Sequence, residues 1–161
     1  MKLRVHERLP GLHPLHAWHR WRDELVHRAA RIPKVRGLRE RERADGSRLL
    51  EGAVDVEIPL MARAFVPRDA LVVELLEQWD EERVGCVWIL RSRGFSAEAA
   101  SAAGELTFRD DGLLVEGEVR VDLCALPQLP SGLAKSAGPG LEQLLARQIE
   151  AGYRLLARTL L

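Results

Sequence analysis

The residues whose types could do chemistry are few and scattered. His13, His16 and His19 recur at three-residue steps, and imidazole is a common metal ligand. On a helix of 3.6 residues per turn, each such step carries the side chain about 60° around the axis. All three reach one ion only if the segment starts outside the helix, which Pro14 permits. Beyond Asp23 no carboxylate stands at a familiar ligand spacing, and no cysteine is near. Solvated or helix-capping histidines are therefore expected, without a metal. Cys86 and Cys124 sit in apolar, strand-like runs with no catalytic signature, and read as two buried free thiols in a reducing compartment, with a disulfide as the alternative. Ser92, Ser96, Ser101, Ser131 and Ser136 stand in no nucleophile elbow. No glycine-rich phosphate loop occurs. Asp55, Glu57 and His27 are the candidates for acid–base work, but nothing selects them. No catalytic set and no cofactor are expected.

The residues suited to recognition say more. Arg39, Arg41 and Arg43 alternate along one stretch. Placed on the face that also carries Leu50 and Val54, they make an interior running from apolar depth to cationic mouth. That gradient fits an amphiphile with an acidic head, since guanidinium pairs with carboxylate or phosphate through parallel N–H donors. The alternative is an edge hairpin whose arginines and glutamates pair in solvent and discourage edge-to-edge association. Tyr153 is the lone tyrosine on a helix of leucine, isoleucine and arginine, so its ring reaches inward while its hydroxyl needs a partner. Trp18, Trp21, Trp79 and Trp88 serve either as core or as stacking surfaces for a ligand.

The elements that must position these residues follow from pattern. The chain has 161 residues, enough for one well-buried core, and its 24 basic and 24 acidic residues balance. No whole-chain bias toward nucleic acid exists. The first residues lack the apolar core of a secretory signal, and no apolar run approaches the ~20 residues of a membrane helix. A cytoplasmic protein without an integral membrane segment is expected, in one domain over 1–161, with homodimerisation left open. Lys2 to Leu9 reads as a short strand and Leu12 to Ile32 as helical, with Trp18, Trp21 and Leu25 at helical steps. Val35 to Ile58 reads as a hairpin turning at Asp45-Gly46, pairing Arg43 with Arg48, Arg41 with Leu50, Gly37 with Val54 and Val35 with Val56. A one-residue slip would exchange the faces of one strand.

Leu60 to Val66 extends the strand up to Pro67. Residues 70–79 fit helix or strand, with the surroundings favouring strand, and Val84 to Leu90 reads as a strand buried on both faces. A second hairpin, Ala102 to Leu123, turns at Asp111-Gly112, with Phe108 facing Val115 and Gly104 facing Val119. The last stretch is the clearest: Leu141, Leu145, Ile149, Leu156 and Leu160 form one helical face, widened by Leu144, Ala151 and Leu155. Gly138-Pro139-Gly140 marks a kink or restart before it.

Strand, Trp-bearing helix, about six antiparallel strands and a long C-terminal helix make an order that resembles the START-like (SRPBCC, Bet v 1-like) superfamily. Local features agree: the Pro33-to-Gly37 stretch, Leu76 to Glu81 leading into Cys86-Val87-Trp88, and Gly104 to Phe108 before an Asp-Gly turn. The plant-type glycine-rich loop of that superfamily is absent. The resemblance implies an α+β helix-grip fold of about seven strands, with an apolar cavity between sheet and last helix. Lining residues would be Arg39, Arg41, Val54, Val56, Trp79, Trp88, Phe108, Val119, Ile149 and Tyr153. Three readings follow: a binder of a small hydrophobic or amphiphilic molecule, a protein-interaction module whose cavity is self-filled, or a cyclase or dehydratase acting on a polyketide-like substrate. The last requires an ionisable pair inside the cavity. Fold alone does not choose among them.

Overall fold

The structure is a computed structural model that describes residues 1–32, 34–55, 63, 66–67 and 71–161. Strand β1 (Lys2–Glu7) leads into helix α1 (Pro14–Ala29), and six further strands follow: β2 (Val35–Glu42), β3 (Arg48–Val54), β4 (Val72–Asp80), β5 (Gly85–Ser92), β6 (Ala100–Arg109) and β7 (Gly112–Val121). A short 3-10 turn (Leu123–Ala125) precedes helix α2 (Ser131–Arg158). The described strands form one antiparallel sheet in the order β1-β7-β6-β5-β4-β3-β2. α2 lies over β1 and β7, while α1 approaches β2, β6 and α2. No helix among the described residues is long and apolar enough to cross a membrane.

Alternation along each strand sends every second side chain into the space between sheet and helices. Register aligns these residues in rows across the sheet. One row runs Trp79, Cys86, Leu106, Val115, Val5. The next runs Glu42, Arg48, Glu77, Trp88, Gly104, Gly117, Leu3. A third runs Glu40, Leu50, Leu75, Leu90, Ala102, Val119. In the middle row the two glycines are required by the indole beside them. A Cβ on Gly104 or Gly117 would come within 2.8 Å of Trp88 Cζ2, and nearer still to backbone oxygens.

Helix α2 continues unbroken through Pro139. Its most buried line runs beside the expected leucine stripe: Ala134, Gly138, Ala146, Tyr153 and Ala157 are buried, as is Leu160 of the stripe just past the helix end, whereas Leu155 points to solvent. Small residues at the contact let the helix lie close to the sheet. Leu145, Ile149 and Leu156 flank that line, partly buried against the core.

The two hairpins depart from expectation in opposite ways. Residues 110–111 rather than 111–112 form the second turn, and Phe108 pairs with Leu113, Leu106 with Val115 and Ala102 with Val119. A shift of two residues leaves every side chain on its expected face. In the first hairpin Glu42 pairs with Arg48, Arg41 with Leu49 and Glu40 with Leu50. That one-residue slip moves Arg39 and Arg41 to the outer face, and both are exposed. A bulge between Arg36 and Arg39, with Gly37 at φ 62°, resets the register so that Val35 pairs with Val54. Residues 70–79 resolve as strand from Val72 onward, and Ala70 lies outside the described residues. Most of the expected strand over 60–66, together with Val56 and Glu57, also lies outside them. Cys86 is buried as expected, but Cys124 sits exposed in the 3-10 turn, and both thiols are free.

Candidate functional site

The middle row carries an arginine and a glutamate into the interior. On β4, Val73, Leu75, Glu77 and Trp79 share parity, so Glu77 occupies the inward slot between Leu75 and Trp79 and is 1% exposed. Directly across, Arg48 precedes Leu50 on the inward parity of β3 and is 6% exposed. Its Nε and Nη2 donate to Glu77 Oε2 at 2.8 and 2.6 Å. Its Nη1 donates to the main-chain carbonyl of Arg22 on α1 and reaches Glu40 Oε1 at 3.4 Å. The guanidinium also lies over the Trp79 ring, 5.1 Å from its centroid. One side chain thus joins β2, β3, β4 and α1.

Burial pushes the Glu77 carboxyl above the ordinary carboxylate range, against the pull of the Arg48 charge and hydrogen bonds, and Glu40 adds a smaller upward push. The Trp79 indole acts on Glu77 in the same sense as Arg48, although its N–H does not reach hydrogen-bond geometry. Burial, and after it the Glu77 charge, lifts the neighbouring Cys86 thiol well above its usual value. Burial does the same to Tyr153, helped by Cys86 and Glu77. Both groups are neutral near pH 7.

Aromatic side chains fill the space around this pair. Tyr153 stacks on Trp21 at 6.3 Å between centroids and leans on Trp88 at 5.5 Å, and Trp21 meets Phe108 edge-on at 5.9 Å. Trp18 meets Trp79 edge-on at 5.8 Å and donates its Nε1–H to Gly85 O at 3.1 Å. The other three indole donors differ from it. Nε1 of Trp21, Trp79 and Trp88 is buried with no hydrogen-bond partner. A donor left in that state costs about 1–3 kcal/mol, so three in one interior call for an explanation.

Of the residues expected to line the cavity, Trp79, Trp88, Phe108, Val119 and Tyr153 are brought together on the inner side, with Ile149 beside them on α2. Val54 continues the inward parity of β3, half-buried and away from the charged pair. Arg39 and Arg41 face outward, and Val56 lies outside the described residues. Arg48 and Glu77 were missed. The available signal was a charge on the apolar parity of a strand, between Leu75 and Trp79 for Glu77 and two residues before Leu50 for Arg48. The three early histidines do not converge. His13 occupies the N-cap position without a side-chain cap bond, and no group of metal ligands forms among the described residues. A depression of about 480 Å³ at the β4–β5 turn is lined by Gln78 to Arg83 and Val87 and shares Trp79 with the aromatic interior.

Solved structures place this architecture in a class. The chain is similar to TTHA0849 from Thermus thermophilus, with a TM-score of 0.66 at 12% identity, covering 98% of this chain and 95% of that one. It is also similar to the Zhui aromatase/cyclase from Streptomyces sp. R1128, with a TM-score of 0.56 at 15% identity over 98% and 90% of the two chains. The di-domain ARO/CYC StfQ from the steffimycin biosynthetic pathway matches with a TM-score of 0.63 at 15% identity, over 98% of this chain and 49% of its own. No protein-family model and no curated protein sequence matches. The fold is the START-like helix-grip fold: among the described residues, a seven-stranded antiparallel sheet, an N-terminal helix and a longer C-terminal one.

Proposed function

We propose that the protein binds a small apolar or amphiphilic molecule on the inner face of its sheet, over β3, β4 and β5 and beside the aromatic cluster that α2 completes with Tyr153. The observation that carries this reading is the trio of buried, unpaired indole N–H groups of Trp21, Trp79 and Trp88. A ligand oxygen that accepts from them turns an uncompensated desolvation cost into a hydrogen bond. The third row supplies the apolar half of the site: Leu75 and Leu90 are only half-buried beside fully buried Leu50. Phe108, Val119, Ile149 and Tyr153 would enclose the rest, and shape would set most of the selectivity. Arg39 and Arg41, facing outward, do not line this site; Arg48 faces inward, with its guanidinium paired to Glu77. Cytoplasmic residence belongs to this reading, is supported by the two free thiols, and is open to cell fractionation.

Native mass spectrometry of protein purified without detergent, followed by denaturing extraction, tests the reading. A defined added mass, lost in Trp88→Phe, is expected. An unliganded mass together with a melting temperature that no lipid shifts would favour the self-filled interaction module instead. A second reading, a cyclase or dehydratase, is favoured by the ionisable Arg48–Glu77 pair in the interior. Two of the solved structures that share the fold are described as aromatase/cyclases. Glu77→Gln that abolishes turnover of a polyketide-like substrate while retaining its binding would support it. Equal loss of both would not.

A further inference from the structure

The charges around Glu77 restrict what the bound molecule can carry at its polar end, an inference that rests on the binding reading above. Among the described residues, Arg48 on β3 contributes one positive charge, and Glu77 on β4 and Glu40 on β2 contribute two negative ones. Arg22 of α1 gives only its carbonyl to this cluster. Its guanidinium lies over the Trp18 ring and donates to Asp23, so its charge is engaged elsewhere. Cys86 on β5 and Tyr153 on α2 are neutral near pH 7. The cluster is therefore acidic in balance, with Glu40 and, in register with Arg48, Glu42 at its exposed edge, and its arginine already has its fork on Glu77.

A carboxylate or phosphate brought here would face Glu77 inside and Glu40 at the half-exposed rim, with Arg48 already paired, and would have to shed its water to do so. An ammonium meets favourable charge, but it has no lone pair and leaves the indole donors unpaired. A hydroxyl meets both demands, accepting from an indole N–H and donating to Glu77. A carbonyl meets the first. Register sets Leu50, Leu75 and Leu90 one inward step from Arg48, Glu77 and Trp88, so an apolar body has a strip to lie on beside that end.

We propose that the polar end of the ligand is an uncharged oxygen, a hydroxyl or a carbonyl, held between the Arg48–Glu77 pair and the unpaired indoles. Acidic amphiphiles, which the arginine-rich first hairpin suggests at first sight, are refused. The test uses the whole chain and five probes of equal length below their micelle concentrations: 1-dodecanol, 2-dodecanone, dodecanoate, dodecylammonium and dodecane. Dissociation constants come from tryptophan fluorescence, and melting temperatures from calorimetry. Dodecanol and dodecanone should bind at least about tenfold tighter than dodecanoate, a factor set by 1.4 kcal/mol of discrimination. Glu77→Gln should narrow or reverse that gap. Glu40→Gln, at a half-exposed position that leaves the buried pair intact, should tighten dodecanoate without loosening dodecanol.

Dodecanoate or dodecylammonium binding as tightly as dodecanol would overturn the proposal. So would an order of affinities that neither variant changes. Dodecane stabilising as much as dodecanol would overturn it too, while leaving the binding reading standing. No shift with any probe would sink the binding reading and this proposal with it.

Discussion

The inner face of the sheet has two unlike halves. Beneath the helices, with α2 over β1 and β7 and α1 near β6, these three strands present Leu3, Val5, Val115, Val119 and Leu106, all apolar and almost fully buried. On β3, β4 and β5 the same row positions hold Arg48 and Glu77, with Leu75 and Leu90 incompletely covered. Trp88 stands at the border, lying against the two glycines of the first half and paired in register with Glu77 of the second. The first half has the character of a core that stabilises by burial alone. The second stores polar groups where burial opposes them, an arrangement that stability does not call for and that recognition does.

Breaking the charged pair should give the largest effect. Arg48→Met leaves Glu77 buried without its partner and is expected to cost about 3–5 kcal/mol in urea unfolding. Arg48→Met/Glu77→Leu together should cost less than either change alone. A double variant worse than both singles would mean that the pair adds net stability and that the two halves are less different than described. Truncating matched leucines sharpens the contrast next. Leu106→Ala in the sealed half should lose about 2–5 kcal/mol, and half-buried Leu75→Ala clearly less, because less contact is removed. Equal losses would contradict the assignment of Leu75 to an incompletely covered strip.

The pH dependence is a smaller effect with a definite sign. Because the folded protein holds the Glu77 carboxyl above its unfolded value, ionising it opposes folding. Its contribution to stability is complete below the unfolded value and is lost as pH rises through the folded one. The stability of the wild type relative to Glu77→Gln should therefore increase as pH falls from 7 toward 4.5, read from denaturant midpoints. A difference moving the other way would place Arg48 ahead of burial. Smallest of all, Arg39→Ala and Arg41→Ala should change stability by no more than about 0.5 kcal/mol, as outward-facing residues do.

The two hairpins show how far the sequence could be read and where it failed. Alternation in β7 is strict, so a two-residue error in the turn returned every side chain to its proper face, and Phe108 and Val119 were placed correctly. In β2 every position from Arg39 to Arg43 is charged, and alternation gives no clue to register. The choice then rested on an Asp-Gly turn, one residue adrift of the pairing that forms. The error exchanged Arg41 for Glu40 on the inner face; Arg48 keeps the face of Leu50 in either register, but its partner Glu77 lies on the other neighbouring strand. Element order was legible from periodicity, the strand identity of residues 72–79 from their β-rich surroundings, and the inward ring of Tyr153 from its place one helical turn beyond Ile149. The Arg48–Glu77 pair was not, because it depends on two strands meeting in one register. The buried face of α2 was displaced for a related reason. Close approach selects Ala146 and Ala157, while hydrophobicity points to the leucines beside them.

The central claim is that the interior donors await a ligand acceptor, and the indole protons report on this one by one. We would record the ¹⁵N-indole correlation spectrum with and without 1-dodecanol, assigning the four signals by single Trp→Phe variants. Trp18, already bonded to Gly85, is the internal reference. The account predicts downfield proton shifts at Trp88, Trp79 or Trp21 with Trp18 nearly still. Shifts confined to Trp18, or a spectrum unchanged at saturating dodecanol, would contradict it.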